Sequence, residues 1–589
     1  MKELLRDALT DSLKSLEEQY DVDLSTIKIE VKENKEKDFG DFSTNLALVL
    51  SKKLSEQPKK IAEILLGELD KKEFIDSIEI AGPGFINFFL SQTSRTEILK
   101  TVNKEKNKFG FSQKKEAGPD KILIEYVSSN PTGPLHVGHG RGAAFGSVLS
   151  SILRATGNQV DEEYYVNDQG RQIEILSLSV WLRYLMIFNQ ISLFPNNCYQ
   201  GTYIEELAKD IERDYGEKFS ITKEIEDLIS EMLQLDMEEE ALDGLISQSK
   251  EALNESFDEI KSFVLNRILK NIEGDLKDFG VKHNSWFKES TMFSAVKNKA
   301  PLIFKALDSL EAKKQLYEKD GALWFKSTDF GDEKDRVVRR ENGATTYFAS
   351  DIAYHANKYD RGYSKIINIW GADHHGYLPR VKAAMSALDE DTEKFEVVFI
   401  QFANLIRNGK KLSMSTRAGE FISLSELIEE VTSEAARFFY INRKGNQHLD
   451  FDLDLAKEQS KDNPLYYVQY AHARICSIFD KLEENKKSYK ESIAMDSLDQ
   501  LNSEQEIEIQ KLLSQFPEVV IRSAANYEPH LICYYLRQLA GTFHSYYNNE
   551  KILVEEESTL QARLFLISAV RQVVFNGLTI LGISAPETM

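Results

Sequence analysis

Apolar residues recur every three or four positions through the opening twenty residues, MKELLRDALTDSLKSLEEQY, and predict an amphipathic helix. IKIEV at 27–31 alternates like a half-buried strand, and so does INFFL at 86–90 after the turn AGPGF. NLALVLSKKL at 45–54 returns to helical spacing. These elements predict a small α+β domain over residues 1–110. The stretch 104–121, KEKNKFGFSQKKEAGPDK, is charged, poor in aliphatics and carries Gly-Pro, which predicts a linker.

The pattern then changes. ILIEYV at 122–127 is a short apolar run of the kind that forms a buried strand. A Pro/Gly-rich turn, SSNPTGPLHVGHGRG, follows it, and then a helix, AAFGSVLSSILRATG. VDEEYYV (160–166) and KIINIWG (365–371) read as further strands, LPRVKAAMSAL (378–388) and LSELIEEV (424–431) as helices. Alternating strands and helices predict a parallel, Rossmann-like sheet over residues 118–445. Between about 185 and 275 the sequence is helical and acidic and reads as an insertion. From 446 to 589 helical periodicity dominates, with many Tyr and Phe residues, and predicts an all-α bundle.

Length and composition fit this multidomain α/β reading. The 589 residues are 42% hydrophobic and 29% charged, ordinary soluble usage. The opening helix lacks the apolar stretch of a signal peptide. The longest apolar segment, 564–583, is interrupted by Arg571, Gln572 and Asn576 and reads as a buried helix, not a membrane span. Three widely spaced cysteines, Cys198, Cys476 and Cys533, exclude a disulfide framework or a Cys-based zinc site and fit free thiols in a reducing cytoplasm. The net charge of −22 argues against a surface coated for nucleic acid but leaves room for a local basic channel.

The sharpest chemical signal is Asn130-Pro131-Thr132-Gly133-Pro134-Leu-His136-Val-Gly138-His139, placed after a strand and opening a helix. Prolines stiffen such a turn, glycines admit ligand atoms to the backbone, and unpaired N–H groups at a helix start attract phosphate. His136 and His139, three apart, lie on one face of the first helical turn and can donate to an ATP phosphate as charge develops on it. A metal-binding His-x-x-His pair would need further ligands at suitable spacing, and none is present. Gly138-His-Gly140-Arg-Gly-Ala143 with Asp161 also fits a dinucleotide fingerprint, but the strand ends some ten residues too early for it.

His136-Val-Gly-His139 resembles the HIGH signature of class I aminoacyl-tRNA synthetases. The longer string SSNPTGPLHVGHGRGA, then YYVNDQGRQI (164–173), WFKES (286–290), TYFASDI (346–352), WGADHHGY (370–377) and the tail GISAPETM (582–589) resemble the arginyl enzymes in particular. The resemblance runs in order over nearly the whole chain. It implies ATP-dependent activation of arginine to arginyl-adenylate, then transfer to the terminal adenosine of tRNA-Arg. Magnesium would accompany ATP as a substrate ion, with no protein-held metal. The family further suggests a cytoplasmic monomer with no membrane partner.

Residue by residue, the resemblance places the guanidinium of arginine against Glu289 and Asp351, with Tyr347 as a wall, Asn130 at the amino-acid end and His374 assisting. A planar cation with five donors needs such carboxylates. The second class I signature, KMSKS, is altered: Ser413-Met414-Ser415-Thr416 lacks both lysines, and the position where some relatives carry a compensating lysine is Gly133. Lys411 or Arg417 is the expected source of positive charge near the leaving diphosphate. For tRNA, the N-terminal unit with Phe39 resembles the domain that touches the tRNA elbow. The tail resembles the anticodon-binding bundle, with Arg474, Arg537, Tyr546, Tyr547 and Met589 as expected contributors. A small-molecule nucleotidyl transferase would share the HxGH turn without the helical tail. A non-catalytic tRNA binder is disfavoured by the intact His136, His139, Glu289 and Asp351.

Overall fold

The computed structural model describes residues 2–34, 36–69, 72–112, 118–233, 239–295, 300–412 and 422–589. Its centre is a five-stranded parallel sheet in the spatial order Phe395–Ile400, Lys365–Gly371, Lys121–Glu125, Gln159–Val166, Ser285–Lys288. The first strand in sequence is thus the middle one, and the chain winds outward from it in both directions. This is a doubly wound sheet, and its switch point lies between Lys121–Glu125 and Lys365–Gly371, where ligands bind at the carboxyl ends of the strands. Side chains alternate between the two faces: Ile122 and Ile124 enter one core, Leu123 the other, and Ile367 and Ile366 divide likewise.

Among the described residues, the crossover between the second and third strands is five helices, Arg171–Ile187, Thr202–Tyr215, Lys223–Met232, Glu239–Leu253 and Glu255–Asp278. The first of these begins well before the acidic stretch that marked the insertion. A three-stranded antiparallel sheet, Leu316–Lys319, Ala322–Phe325 and Arg336–Arg339, lies between the third and fourth strands of the central sheet and packs on its other face.

At the N-terminus, a four-stranded antiparallel sheet (Val31–Glu33, Phe42–Thr44, Phe85–Leu90, Ile75–Ala81) carries the helices Lys2–Tyr20, Leu46–Leu54 and Pro58–Leu69. Of the predicted strand IKIEV only Val31 is in a strand. This domain docks on the C-terminal helix Glu504–Asn526. Gln515 donates to both oxygens of Glu33 at 2.7 and 2.8 Å, and Lys511 donates to the Asn34 carbonyl at 2.6 Å.

The predicted linker 104–121 is corrected at its start. Asn576 donates to the carbonyls of Lys106 and Phe109 at 2.9 Å each, and Phe109 is buried against Phe516, so this piece is seated on the C-terminal bundle. The bundle comprises Pro464–Glu484, Glu491–Asp496, Glu504–Asn526, His530–Asn549 and Glu557–Leu581. A short strand, Leu449–Asp452, precedes it and pairs in parallel with Ala403–Arg407, where only helix was expected beyond 446. The helix Glu557–Leu581 is apolar and long enough to cross a membrane, yet 78% of its apolar window is buried inside the molecule. The three cysteines are buried free thiols.

Candidate functional site

The central strand Lys121–Glu125 ends where Val127 and Ser128 adopt left-handed backbone angles, φ 68° and 41°. The left-handed pair turns the chain out of the sheet toward the Asn130–Pro134 turn, at the cost of strain at the β-branched Val127. The turn is held from the helical crossover: Tyr203 donates its hydroxyl to the Thr132 carbonyl at 2.7 Å. A Cβ on Gly133 would lie 3.1 Å from that hydroxyl, so Tyr203 already occupies the space a side chain there would need. The acidic insertion, featureless in sequence, therefore supports the signature turn.

His136 caps the helix Val137–Ala155. Its Nδ1 accepts from the Gly138 N–H at 3.0 Å, while the His136 N–H donates to His139 Nδ1 at 3.3 Å. This is a capping box built from two imidazoles in place of Ser and Glu. The rings stack with centroids 3.9 Å apart. Because both Nδ1 atoms accept, each neutral ring carries its proton on Nε2. Burial holds His136 below the usual imidazole range, and burial together with His136 brings His139 down to about 3. The pair is thus a set of neutral donors at pH 7, suited to an oxygen that gains charge.

The same helix is pinned beside its partners. Arg141, 1% exposed, donates to the carbonyls of Gln401 and Gln447 at 2.7 Å each and of Lys444 at 3.0 Å. Val137 N–H donates to Ile422 O, and Leu424 N–H to Leu135 O, so residues 422–424 lie against the signature turn. Lys410–Lys411 form an edge strand on Ile406–Arg407 and are exposed. Ser413, Met414, Ser415, Thr416 and Arg417 lie outside the described residues; their flanks, 411 and 422, are placed as above.

A cleft of about 220 Å³ opens at the carboxyl ends of the strands, lined by Asn130, Asn167, Gln169, Gln172, Ile173 and Tyr347. Asn130 donates to Gln172 at 2.9 Å. Gly170 caps the helix Arg171–Ile187 at φ 92°, and a Cβ there would meet the Tyr347 hydroxyl at 2.8 Å; a glycine lets the tyrosine close over the loop. Tyr347 begins the helix Tyr347–Asp360 and is 60% exposed, and Asp351 is one turn along.

Glu289, 4% exposed, follows the edge strand Ser285–Lys288. Asp168 fixes its neighbour, accepting from the Ser290 N–H at 2.8 Å and hydroxyl at 2.6 Å. The Asn167 amide, with its nitrogen toward the carboxylate, donates to Glu289 at 2.7 Å. Burial raises the Glu289 carboxyl. Asp351 is pushed up to about 7, chiefly by burial and also by the charges of Glu289 and Glu125, against a hydrogen bond from Tyr377. Two carboxylates that disfavour ionisation side by side, next to an aromatic face and four amides, form a site that gains most from an incoming cation. His374 is exposed and lies 3.5 Å from Asp373.

Sequence reasoning missed Asn167, Gln169, Gln172 and Tyr377, though each lies inside a string that carried the resemblance; nothing in those strings marks which polar side chain faces inward. Among the expected tRNA contacts, Phe39, Arg537 and Met589 are exposed. Arg537 borders a cleft of about 350 Å³ with Lys461, Tyr467, Tyr534 and Gln538. One expectation is corrected. Tyr546 is fully buried with its hydroxyl on Glu506, so it has no face for a base. Arg474 braces the bundle: it donates to His544 and Tyr470 at 3.0 Å each, and the rings of Tyr470 and Tyr547 lie over it at 4.4 and 4.5 Å. Tyr547 is thereby engaged as well.

Comparison with known proteins agrees with this architecture in order along the chain. Residues 2–90 match the arginyl tRNA synthetase N-terminal domain, 99–452 the class I (R) tRNA synthetase catalytic domain, and 468–589 the DALR anticodon binding domain. An arginine–tRNA ligase of Nitrosomonas europaea is 48% identical over 96% of this chain and 95% of its own length. One of Legionella pneumophila is 46% identical over 100% of this chain and 98% of its own. The arginyl-tRNA synthetase of Thermus thermophilus, at 22% identity, shares the fold with a TM-score of 0.72 and full coverage of both chains. Matched in all three domains and sharing nearly half its residues with these ligases over almost its whole length, the chain belongs to the class I arginyl-tRNA synthetase family.

Proposed function

We infer that this chain is an arginine–tRNA ligase, activating L-arginine with ATP and passing the arginyl group to the 3′-terminal adenosine of tRNA-Arg. The observation that carries the substrate is the pairing of Glu289 and Asp351 beside the amide-lined cleft that shares Asn130 with the His136–His139 turn. Their carboxylates hold the guanidinium, Tyr347 walls it, Asn130 meets the amino-acid end and His374 assists. ATP lies along Asn130–Pro134, Gly138 and the Ser413–Thr416 segment, with magnesium as its accompanying ion.

The arginine carboxylate attacks the α-phosphorus. An O–P bond forms as the bond to the β-phosphate breaks, and the Nε2–H groups of His136 and His139 donate to oxygens that gain charge. Lys411 or Arg417 supplies the cation for the departing diphosphate; the seating of residues 422–424 against the signature turn, just beyond that segment, supports this. The 2′ hydroxyl of the tRNA then attacks the arginyl carbonyl and AMP leaves.

Residues 1–110 and 446–589 act as tRNA-binding domains around the catalytic domain 118–445, with Phe39 at the elbow and Arg537 and Met589 at the anticodon end. The enzyme works as a cytoplasmic monomer. Mixing enzyme, ATP, arginine and tRNA should yield AMP and diphosphate in equal amounts with arginyl-tRNA. Release of ADP and phosphate instead would refute adenylate chemistry.

A further inference from the structure

We propose that Tyr377, backed by Arg380, is the positioning residue that turns and charges Asp351 for arginine. This rests on the assignment of Asp351 to the arginine pocket. Tyr377 ends the short helix Ala372–Tyr377 at the carboxyl end of a switch-point strand. Its hydroxyl donates to Oδ2 of Asp351. The ring is held on two sides, by the edge of Trp370 at 6.0 Å and by the Arg380 guanidinium at 4.8 Å. Arg380 lies 4.0 Å from Asp332, whose carboxylate is gripped by Arg336 at 2.7 and 2.8 Å. The tyrosine is therefore set by a braced charged network, not by solvent.

The consequence follows from donor and acceptor accounting. A phenol hydroxyl donating to a carboxylate favours the ionised form and commits one oxygen, which leaves Oδ1 for the ligand. Asp351 needs that help. Glu289 and Glu125 face it with like charge, and Lys358 offers the offsetting cation but is already committed to Glu125 at 2.5 Å and Asn368 at 2.8 Å. Tyr165 lies among the same carboxylates, and burial and their charge keep its hydroxyl protonated. Arg380 and Arg336 bear on Tyr377 itself and keep it a better donor. A protonated Asp351 would be a donor facing the donors of a guanidinium, and would tolerate the uncharged ureido analogue citrulline.

The test compares Tyr377→Phe with Asp351→Asn in the full-length enzyme, by steady-state charging over pH 6–9. For Tyr377→Phe, kcat/KM for arginine should fall about tenfold at pH 7, its acid limb should move up by about one pH unit, and KM for ATP should hold. Inhibition by citrulline should strengthen. Arg380→Gln should shift the limb in the same direction by less. An unmoved acid limb in Tyr377→Phe, or equal losses for arginine and ATP, while Asp351→Asn remains selective for arginine, overturns the proposal alone. If Asp351→Asn is not selective for arginine, the pocket assignment falls and the proposal with it.

Discussion

Replacing Asp351 by Asn tests the substrate pocket with almost no change of shape. The Tyr377 hydroxyl can still donate to the amide oxygen, so the side chain stays seated. What changes is the atom facing the ligand, since an NH₂ group or a neutral oxygen replaces a carboxylate. Hydrogen bonds to charged groups contribute about 1.5–3 kcal/mol each, and a guanidinium left without one of its two carboxylates loses one or two of them. A loss of roughly 2–4 kcal/mol corresponds to about 30- to 1000-fold in kcat/KM for arginine. The substitution leaves untouched the signature turn proposed to hold ATP, so KM for ATP should stay within about twofold.

The pH profile adds a second signature. With its carboxyl raised to about 7, Asp351 in the free wild-type enzyme captures arginine less well as pH falls below 7, and that limb should vanish in Asp351→Asn. The same shift has a stability consequence of opposite sense. The folded state binds the proton more tightly than the unfolded chain, so this group's contribution falls as pH rises from about 4 to about 7 and stays low above it. The ligand-free Asn variant should therefore melt above wild type at pH 8, where the buried charge is removed. Steady-state kinetics with arginine and ATP varied separately, with melting curves at pH 5.5 and 8, measure all of this. Equal effects on both substrates would sink the pocket assignment, as would an acid limb that survives the substitution.

Arginine binding at pH 7 should release about half a proton per site as Asp351 ionises, seen by calorimetry in buffers of different ionisation enthalpy; no buffer dependence would contradict the raised carboxyl. Lys411→Ala should slow ATP–diphosphate exchange by about 10-fold or more without raising KM for arginine, and an unchanged exchange rate would leave Arg417 as the candidate. Arg437 is 2% exposed and donates to the carbonyls of Leu581, Phe279 and Gly280 and to Ser147, capping two helix ends with one cation. Arg437→Met should cost roughly 3–5 kcal/mol of unfolding free energy, and less than about 1 kcal/mol would refute its role as a joint between catalytic core and bundle.

Strands that run apolar or alternating, such as 122–127, 160–166 and 365–371, were legible because burial on a sheet dictates their residue types. So was the long apolar helix near the C-terminus. Three- and four-residue strands such as Val31–Glu33, Phe42–Thr44 and Leu449–Asp452 were not, since so short a run carries no period and exists only through its partner strand. The histidine turn was legible as chemistry, but its capping geometry was not. His136 precedes the first helical turn instead of sharing its face, a consequence of the reciprocal bonds to Gly138 and His139. The insertion's part in the site was hidden because Tyr203 and Gly133 are far apart in sequence and meet only through the crossover. Tyr546 shows the converse: aromatic residues at helical spacing look alike whether they face a base or the core.

Selection of arginine by the cleft beside His136 and His139, and consumption of ATP in the ligation, are tested together by charging total tRNA with each radiolabelled amino acid, with and without ATP. Arginine alone should become acid-precipitable, and only with ATP present. Charging with another amino acid, or with none, would contradict the account.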